Sequence, residues 1–593
     1  MMKPLLSIKE LSIHFKTEDQ QTAPVKKSSF TIAPGELVAI VGESGSGKSV
    51  TALSILQLLP KQAVVSGEIL FYKNEDEPVD LLKLSNKKIN SIRGNDIAMI
   101  FQEPMTSLNP VFTCGYQVME AIQLHQQVSA AIAKQKTIEL FEKVKLPDPE
   151  NLIGRYPHEL SGGQKQRVMI AMAMSCNPAL LIADEPTTAL DVTVQKTILE
   201  LIRSLQQPAG AGGQNNMGVI FITHDLGVVA DIADKILVMY KGEIVEQGNA
   251  KNILLSPQHP YTKALLACRP AGNAKGKRLP VVSDFMGPGN KLQATSHPQG
   301  PAGKPQGGDH EPQTIYDPQG PVDKPGTSLL EIRNLRVQFP VKKNIFGKAT
   351  QYFKAVDDVS FTVQQGDIVG LVGESGCGKT TLGRTILQLI KPTSGKILLE
   401  GKDLTETDAA LLRTMRKNLQ IVFQDPYGSL NPRITIGDAI LEPLKVHAVL
   451  AGNKQRKEKV MELLEKVSLD TDHFNRYPHQ FSGGQRQRIC IARALALNPS
   501  FLIFDESVSA LDVSVQAQVL NLLNDLKQEF GFTAIFISHD LSVVHYICNR
   551  ILVMHKGKIV EAGDADQVYY HPKNEYTQTL VNAIPGKTID QSS

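Results

Sequence analysis

At 593 residues the chain exceeds what one hydrophobic core organises, and roughly 150 residues per domain makes several compact units the expectation. Hydrophobic residues at 42% and charged residues at 21% sit near globular averages, which excludes a disordered, collagen-like or coiled-coil chain. With 63 basic and 60 acidic side chains the formal charge is only +3, too balanced for a general polyanion-binding surface, so nucleic acid is not an expected partner.

The opening MMKPLLSIKELSIHF lacks the apolar run and small-residue cleavage site of a signal peptide, and no stretch approaches 18 consecutive apolar residues. The six cysteines (Cys114, Cys176, Cys268, Cys377, Cys490, Cys548) are far apart with no C-x-x-C pair, which argues against a disulfide framework or a zinc site. A reducing, cytosolic setting without a membrane span is therefore expected. Next in the chain, the strand-like LVAIV (Leu37 to Val41) enters Gly42-Glu43-Ser44-Gly45-Ser46-Gly47-Lys48-Ser49, and a helical pattern runs from Val50 until Pro60 stops it. Glycines let backbone N–H groups curl around phosphate oxygens, a helix N-terminus adds its positive dipole end, Lys48 reaches the β/γ-phosphates and Ser49 offers a hydroxyl to Mg²⁺. FQEPMTSLNP follows from Phe101, then RYPHELSGGQKQR from Arg155. LLIAD then reads as a buried parallel strand delivering Asp184 and Glu185 to its C-terminal edge, Asp184 for the Mg²⁺ side of the nucleotide and Glu185 for the attacking water. QPAGAGGQNNMG is a turn-rich surface loop, and FITHD ends in His224.

Residues 271–327 form a Pro-, Gly- and Gln-rich stretch with few aliphatics, in which PQGPAGKP recurs as PQGPVDKP, and a semi-extended linker is expected there. Beyond it the chain repeats itself in order. Gly373-Glu374-Ser375-Gly376-Cys377-Gly378-Lys379-Thr380-Thr381 follows IVGLV; FQDPYGSLNP, RYPHQFSGGQRQR, FLIFDES and FISHD come after. Lys48 and Lys379 lie 331 residues apart but His224 and His539 only 315, so the first copy carries insertions. Duplicated domains, 1–270 and 328–593, are the expected organisation. In the second copy Asp505, Glu506 and Thr380 take the places of Asp184, Glu185 and Ser49.

These blocks resemble ABC-type ATPases. Ser161-Gly162-Gly163-Gln164 and Ser482-Gly483-Gly484-Gln485 are similar to that family's signature, Gln102 and Gln424 to its Q-loop, Asp191 and Asp512 to its D-loop, and His224 and His539 to its switch histidine. The resemblance implies an α/β fold of two tandem P-loop domains, each with a RecA-like core, an antiparallel β subdomain and a helical signature subdomain. It also implies ATP and Mg²⁺ as cofactors, with Ser49, Gln102 and Asp184, or Thr380, Gln424 and Asp505, on the metal side. Two composite sites follow from it, Lys48 facing Ser482 and Lys379 facing Ser161. Phe15 and Phe339 are the chosen aromatics for stacking on adenine, with Tyr352 a rival and a core role equally open for each.

The S-L-N-P blocks, the R-Y-P-H blocks and QHPYTKALL (Gln258 to Leu266), echoed as NEYTQTL, are similar to the ATPase subunits of peptide and nickel importers. Within that group the fused arrangement is most like glutathione importers, next like microcin C and oligopeptide importers. The implied partners are two permeases and a substrate-binding protein, and the implied place is the cytoplasmic face of the inner membrane, held there through the permeases. Ser507 replaces the proline of D-E-P and Phe481 the leucine before the signature, neither of them a phosphate ligand. A soluble tandem ABC protein acting on ribosomes would have a charged helical linker, and a DNA-repair ATPase of this fold zinc-spaced cysteines; neither feature is present.

Overall fold

The computed structural model describes residues 3–16, 21–73, 77–102, 107–188, 190–206, 217–286, 328–343, 349–509 and 511–586. Short aliphatic runs without polar alternation, such as Leu37–Val41, Leu180–Asp184 and Gly218–Thr223, are buried along their whole length, as strands covered on both faces must be. They lie side by side in a six-stranded sheet ordered Glu243–Asn249, Lys235–Tyr240, Leu37–Val41, Gly218–Thr223, Leu180–Asp184, Ile97–Ile100. Every pairing in it is parallel except that of the edge strand Glu243–Asn249. The second copy builds the same order from Lys558–Asp564, Arg550–His555, Ile368–Val372, Thr533–Ser538, Phe501–Asp505 and Leu419–Val422.

A second, antiparallel sheet covers each parallel one: Gln21–Ile32, Leu6–Lys16, Ala63–Phe71 and Val79–Asp80 in the first copy, and Ala349–Gln364, Ser328–Lys343, Ser394–Leu399 and Lys402–Asp403 in the second. Its inward residues (Leu6, Ile8, Leu11, Ile13) share a core with Val38, Ile40 and Ile182 of the parallel sheet. A helical unit, Cys114–Gln126, Ala130–Lys143 and Gly162–Ala173, packs around Val118, Phe141 and Ile170. Thr113 and Ser129 cap its first two helices by accepting from Tyr116 N–H and Ile132 N–H. Ile436–Val446, Asn453–Lys466 and Gly483–Leu495 form the counterpart.

Three expectations need revision or fall outside the described residues. The helix after the first glycine loop ends at Ile55 rather than at Pro60: Gln57 turns left-handed (φ 50°) and Leu58 N–H bonds back to Leu53 O at 2.9 Å, closing the helix a turn early. The start of the expected linker is not extended. Leu279 and Val281 are buried in the core of the second copy, and Asn521 holds the Leu279 backbone at both its N–H (2.8 Å) and its C=O (2.9 Å). Composition hid this because two aliphatics and a few backbone bonds suffice to dock a short segment on an existing surface. The rest of that stretch, 287–327, and the turn-rich loop at 207–216 lie outside the described residues.

Candidate functional site

Each glycine loop joins a buried strand to a helix and needs glycine for a geometric reason. Gly42 and Gly47 have φ of 152° and 103°, and a Cβ on either would stand 2.2 Å from a backbone oxygen, Met239 O or Pro24 O. Gly373 and Gly378 repeat this, at 2.2 Å from Met554 O and 2.1 Å from Ala355 O. The lysine is folded back over its own loop: Lys48 Nζ donates to Gly42 O and Glu43 O, both at 2.8 Å, and Lys379 Nζ to Gly373 O at 2.7 Å and Glu374 O at 2.9 Å. Burial depresses the Lys48 ammonium, partly offset by Glu185 and Asp512. Beside Gly45 and Gly376 no atom of the described residues lies within 4 Å of where a Cβ would stand, so the loop is open on that side.

The carboxylates meet these loops. Ser49 Oγ donates to Asp184 Oδ1 at 2.9 Å and Thr380 Oγ1 to Asp505 Oδ1 at 3.0 Å. Burial pushes the Asp184 carboxyl up to about 6 and raises Asp505 as well. Glu185 and Glu506 sit in the left-handed region (φ 47° and 48°), costly for a non-glycine residue, their N–H groups tied to Ile222 O and Ile537 O at 3.0 Å each. That turn swings each side chain off the strand and against the glutamine and histidine. Gln102 Nε2 donates to Glu185 Oε2 at 3.2 Å and Gln424 Nε2 to Glu506 Oε2 at 2.8 Å. His224 Nδ1 lies 3.4 Å from Glu185 Oε2, and His539 Nδ1 3.6 Å from Glu506 Oε2. Burial works to raise both glutamates, but the neighbouring histidine, together with Thr188 on Glu185, holds them below the usual carboxylate range. Burial would depress His224, but Glu185, together with Asp512 and Asp225, raises it above its ordinary value. The His224 Nδ1 atom is nonetheless buried without a well-aligned hydrogen bond.

The signature serines cap their own helices. Ser161 Oγ accepts from Gln164 N–H at 3.3 Å while Gln164 Oε1 accepts from Ser161 N–H at 3.0 Å, and Ser482 with Gln485 repeats both distances. The two glycines between them differ: a Cβ on Gly163 or Gly484 would stand 2.7 or 2.2 Å from Val194 or Val515, whereas Gly483 faces open space and Gly162 meets only Leu190 at 3.7 Å. The second glycine thus lets the signature helix approach the helix after the D-loop.

The copies meet head to tail across this ground. Ser44 N–H of the first loop donates to Asp512 Oδ2 of the second copy at 2.9 Å, and Ser514 Oγ donates to Glu43 Oε1. Reciprocally, Thr193 Oγ1 donates to Glu374 Oε1 at 2.6 Å. Phe15 is half-buried against the core of the first antiparallel sheet, whereas Phe339, Tyr352 and Phe353 are exposed on the second. Sequence reasoning missed Tyr261 and Tyr576, whose hydroxyls accept the N–H of Glu43 (2.9 Å) and Glu374 (3.0 Å). The repeated Y-T in QHPYT and NEYT was the available signal.

Residues 25–188 and 356–509 match the family model described as "ABC transporter". The chain belongs to the ABC transporter family. It is an ABC-type ATPase with two ATP-binding domains. Residues 245–287 and 560–592 match a second model, "Oligopeptide/dipeptide transporter, C-terminal region". The chain is similar to the glutathione import ATP-binding protein GsiA of Pectobacterium atrosepticum, 45% identical over 98% of this chain and 90% of that one. It is also similar to the protein of that name in Escherichia coli strain K12, 47% identical over 98% and 89%. A solved ATP-binding cassette, described as the dimeric structure of a post-hydrolysis state bound to ADP and Pi, is 28% identical over 40% of this chain and 98% of that one, with a TM-score of 0.36. As ATP-binding subunits of transporters imply, the ATPase works with membrane permeases. Among the described residues, no helix is long and apolar enough to cross a membrane.

Proposed function

We propose that this chain is the energy-coupling subunit of an importer for short peptides, glutathione foremost, with residues 1–270 and 328–593 as its two ATPase halves and 271–327 joining them. The observation that carries this is the collinear match, over 98% of the chain, to proteins named for glutathione import. The match of 245–287 and 560–592 to the oligopeptide/dipeptide transporter region supports the peptide class independently. Each loop wraps the β- and γ-phosphates with its backbone N–H groups, and Lys48 or Lys379 exchanges its loop carbonyls for phosphate oxygens. The hydroxyl and carboxylate pairs Ser49 with Asp184 and Thr380 with Asp505, joined by Gln102 or Gln424, are the hard oxygen donors that would hold Mg²⁺ beside the phosphates. Bound there, Mg²⁺ supplies charge neutralisation on the β- and γ-phosphates. Glu185 and Glu506, held ionised, accept a proton from and orient the attacking water, while His224 and His539 hold the glutamate and face the γ-phosphate. Ser161 and Ser482, with the N–H groups of Gly162, Gly163, Gly483 and Gly484, receive the γ-phosphate of the opposite half when the halves close. Phe15 and Phe339 remain the proposed adenine-stacking residues.

Two permeases receive the motion, and a substrate-binding protein delivers the cargo; the chain lies at the cytoplasmic face of the inner membrane through the permeases alone. Exposed aromatics beside the Q-loops, the stacked pair Phe112 and Tyr116 in the first copy and Tyr427 in the second, offer them apolar contact. Uptake of labelled glutathione by a strain lacking the gene tests the reading. Restoration by the wild type but not by a Glu185→Gln/Glu506→Gln form is expected. Normal uptake in the deletion strain, with loss of another peptide or of nickel, would remove glutathione and keep the class.

A further inference from the structure

The second residue of each glycine loop is a junction of three parts of the molecule. The Glu43 carbonyl accepts from Lys48, its carboxylate accepts from Ser514 of the opposite copy, and its N–H donates to Tyr261 Oη at 2.9 Å. Glu374 repeats all three: carbonyl to Lys379, carboxylate to Thr193 of the opposite copy, N–H to Tyr576 Oη at 3.0 Å. Both tyrosines come from the regions that follow the parallel sheet, and both are delivered by one construction. A glutamate of the edge strand, Glu246 or Glu561, accepts two successive backbone N–H groups just before the tyrosine's helix: Gln258 and His259 at 2.7 and 3.1 Å, or Lys573 and Asn574 at 2.8 and 3.1 Å. The helix then starts with a side-chain cap on the tyrosine's own N–H, from His259 Nδ1 at 3.2 Å or Asn574 Oδ1 at 2.9 Å. The rings are seated from the side by Tyr240, centroids 4.3 Å apart, and by His555 at 4.0 Å. Burial raises both phenols above their usual range, so they stay neutral.

Such a construction fixes a hydroxyl in space, and what it fixes it against is the backbone that carries the lysine's acceptors. We propose that Tyr261 and Tyr576 are positioning residues that hold the phosphate loops in their nucleotide-receiving shape, making the C-terminal region of each copy a determinant of ATP affinity at the loop of the same copy. This rests on the proposed reading of the loops as the phosphate sites. Without the hydroxyl the Glu43 or Glu374 N–H loses a buried acceptor, and the loop is free to tilt the carbonyls that Lys48 or Lys379 must leave when phosphate arrives. The effect falls on binding, because none of the groups placed at the water or the transferred phosphate is touched.

The experiment uses the full chain with Tyr261→Phe, Tyr576→Phe and both together, which keep the rings on Tyr240 and His555 and remove only the hydroxyls. Trinitrophenyl-ATP titration and steady-state ATPase kinetics are read beside nucleotide-free thermal unfolding. The double variant is expected to raise the dissociation constant and KM for ATP by roughly three- to tenfold, the span of one lost hydrogen bond at each loop, with kcat within about twofold. Unchanged affinity and KM overturn the proposal, as does a lowered unfolding temperature with no change in KM, the mark of a merely structural contact. Lys48→Ala/Lys379→Ala separates the two readings. If that form loses nucleotide while the tyrosine variants bind as wild type, only the tyrosines' role falls; if it binds nucleotide normally, the phosphate sites themselves are misread and the proposal falls with them.

Discussion

Within each copy the site residues repeat their distances closely: the lysine lies 2.7–2.9 Å from two loop carbonyls, hydroxyl to aspartate is 2.9 against 3.0 Å, and histidine to glutamate 3.4 against 3.6 Å. The seam between the copies repeats only in part: Ser514 and Thr193 donate across it to Glu43 and Glu374, respectively, but the D-loop aspartates part ways. Asp512 of the second D-loop reaches across to Ser44 N–H, whereas Asp191 of the first turns inward, accepting from Val194 N–H at 2.9 Å to cap its own helix. The ends of the copies differ likewise. Leu279, past the first copy, docks on Asn521 of the second, while Pro585 and Gly586, at the end of the second, dock on Arg269 and Asp231 of the first. The proposed site is thus duplicated in full and the seam only in its hydroxyl-to-glutamate contacts, as expected when a site is constrained by the geometry of its ligand and most of a seam only by packing.

The most forceful test of the duplicated half of this comparison is Glu185→Gln and Glu506→Gln. Each keeps size and much of the hydrogen bonding and removes the charge proposed to orient water, so ATP is expected to bind while hydrolysis at that site falls on the order of 10² to 10³. Because the sites share one seam, either single change is expected to bring turnover of the assembled transporter well below half, and the pair to trap a closed, ATP-bound form. One single variant with full activity and the other with none would show the sites to be unequal despite their matching distances.

The unequal half is tested by Asp512→Ala against Asp191→Ala. The first removes a charge-assisted bond between the copies, part-exposed and so worth about 1 kcal/mol, and several-fold lower ATPase activity is expected. The second removes a helix cap, costing about 1 kcal/mol of stability, with a smaller change in turnover. Equal kinetic penalties would mean that both D-loops cross the seam in the working enzyme.

Sequence alone reached the fold class, because five ordered blocks in strand, loop and helix contexts leave few architectures open. It also brought to one place the residues that the structure joins, such as Ser49 with Asp184 and Gln102 with Glu185. It did not reach contacts between residues of ordinary type far apart in the chain. Beyond the repeated Y-T, nothing in a Tyr or an Asn marks it as holding a loop 218 or a segment 242 positions away. Asn521→Ala tests the latter: leaving the Leu279 N–H and C=O unpaired is expected to cost about 2–3 kcal/mol of local stability, read as faster hydrogen exchange at residues 277–281. Protection unchanged at Leu279 would show that Leu279 and Val281 hold the segment by burial alone.

The smallest expected effect concerns the position directly after the proposed catalytic glutamates, where the copies carry different chemistry. Pro186 follows Glu185, but Ser507 follows Glu506, and Ser507 is 4% exposed, its Oγ without a hydrogen-bond partner among the described residues. A buried hydroxyl without a partner carries its desolvation penalty uncompensated, so removing it relieves the folded state. The position lies one residue after a left-handed turn, where proline would restrict the backbone as well, which makes alanine the cleaner probe. Ser507→Ala is expected to stabilise the second copy by about 1 kcal/mol, raising its unfolding transition by about 2 °C, with ATPase activity within twofold of the wild type. Scanning calorimetry and steady-state hydrolysis decide it. A fall in activity without a gain in stability would mean that the hydroxyl acts on Glu506 during turnover, and the second site would then work by a contact that the first, with proline at that place, does not have.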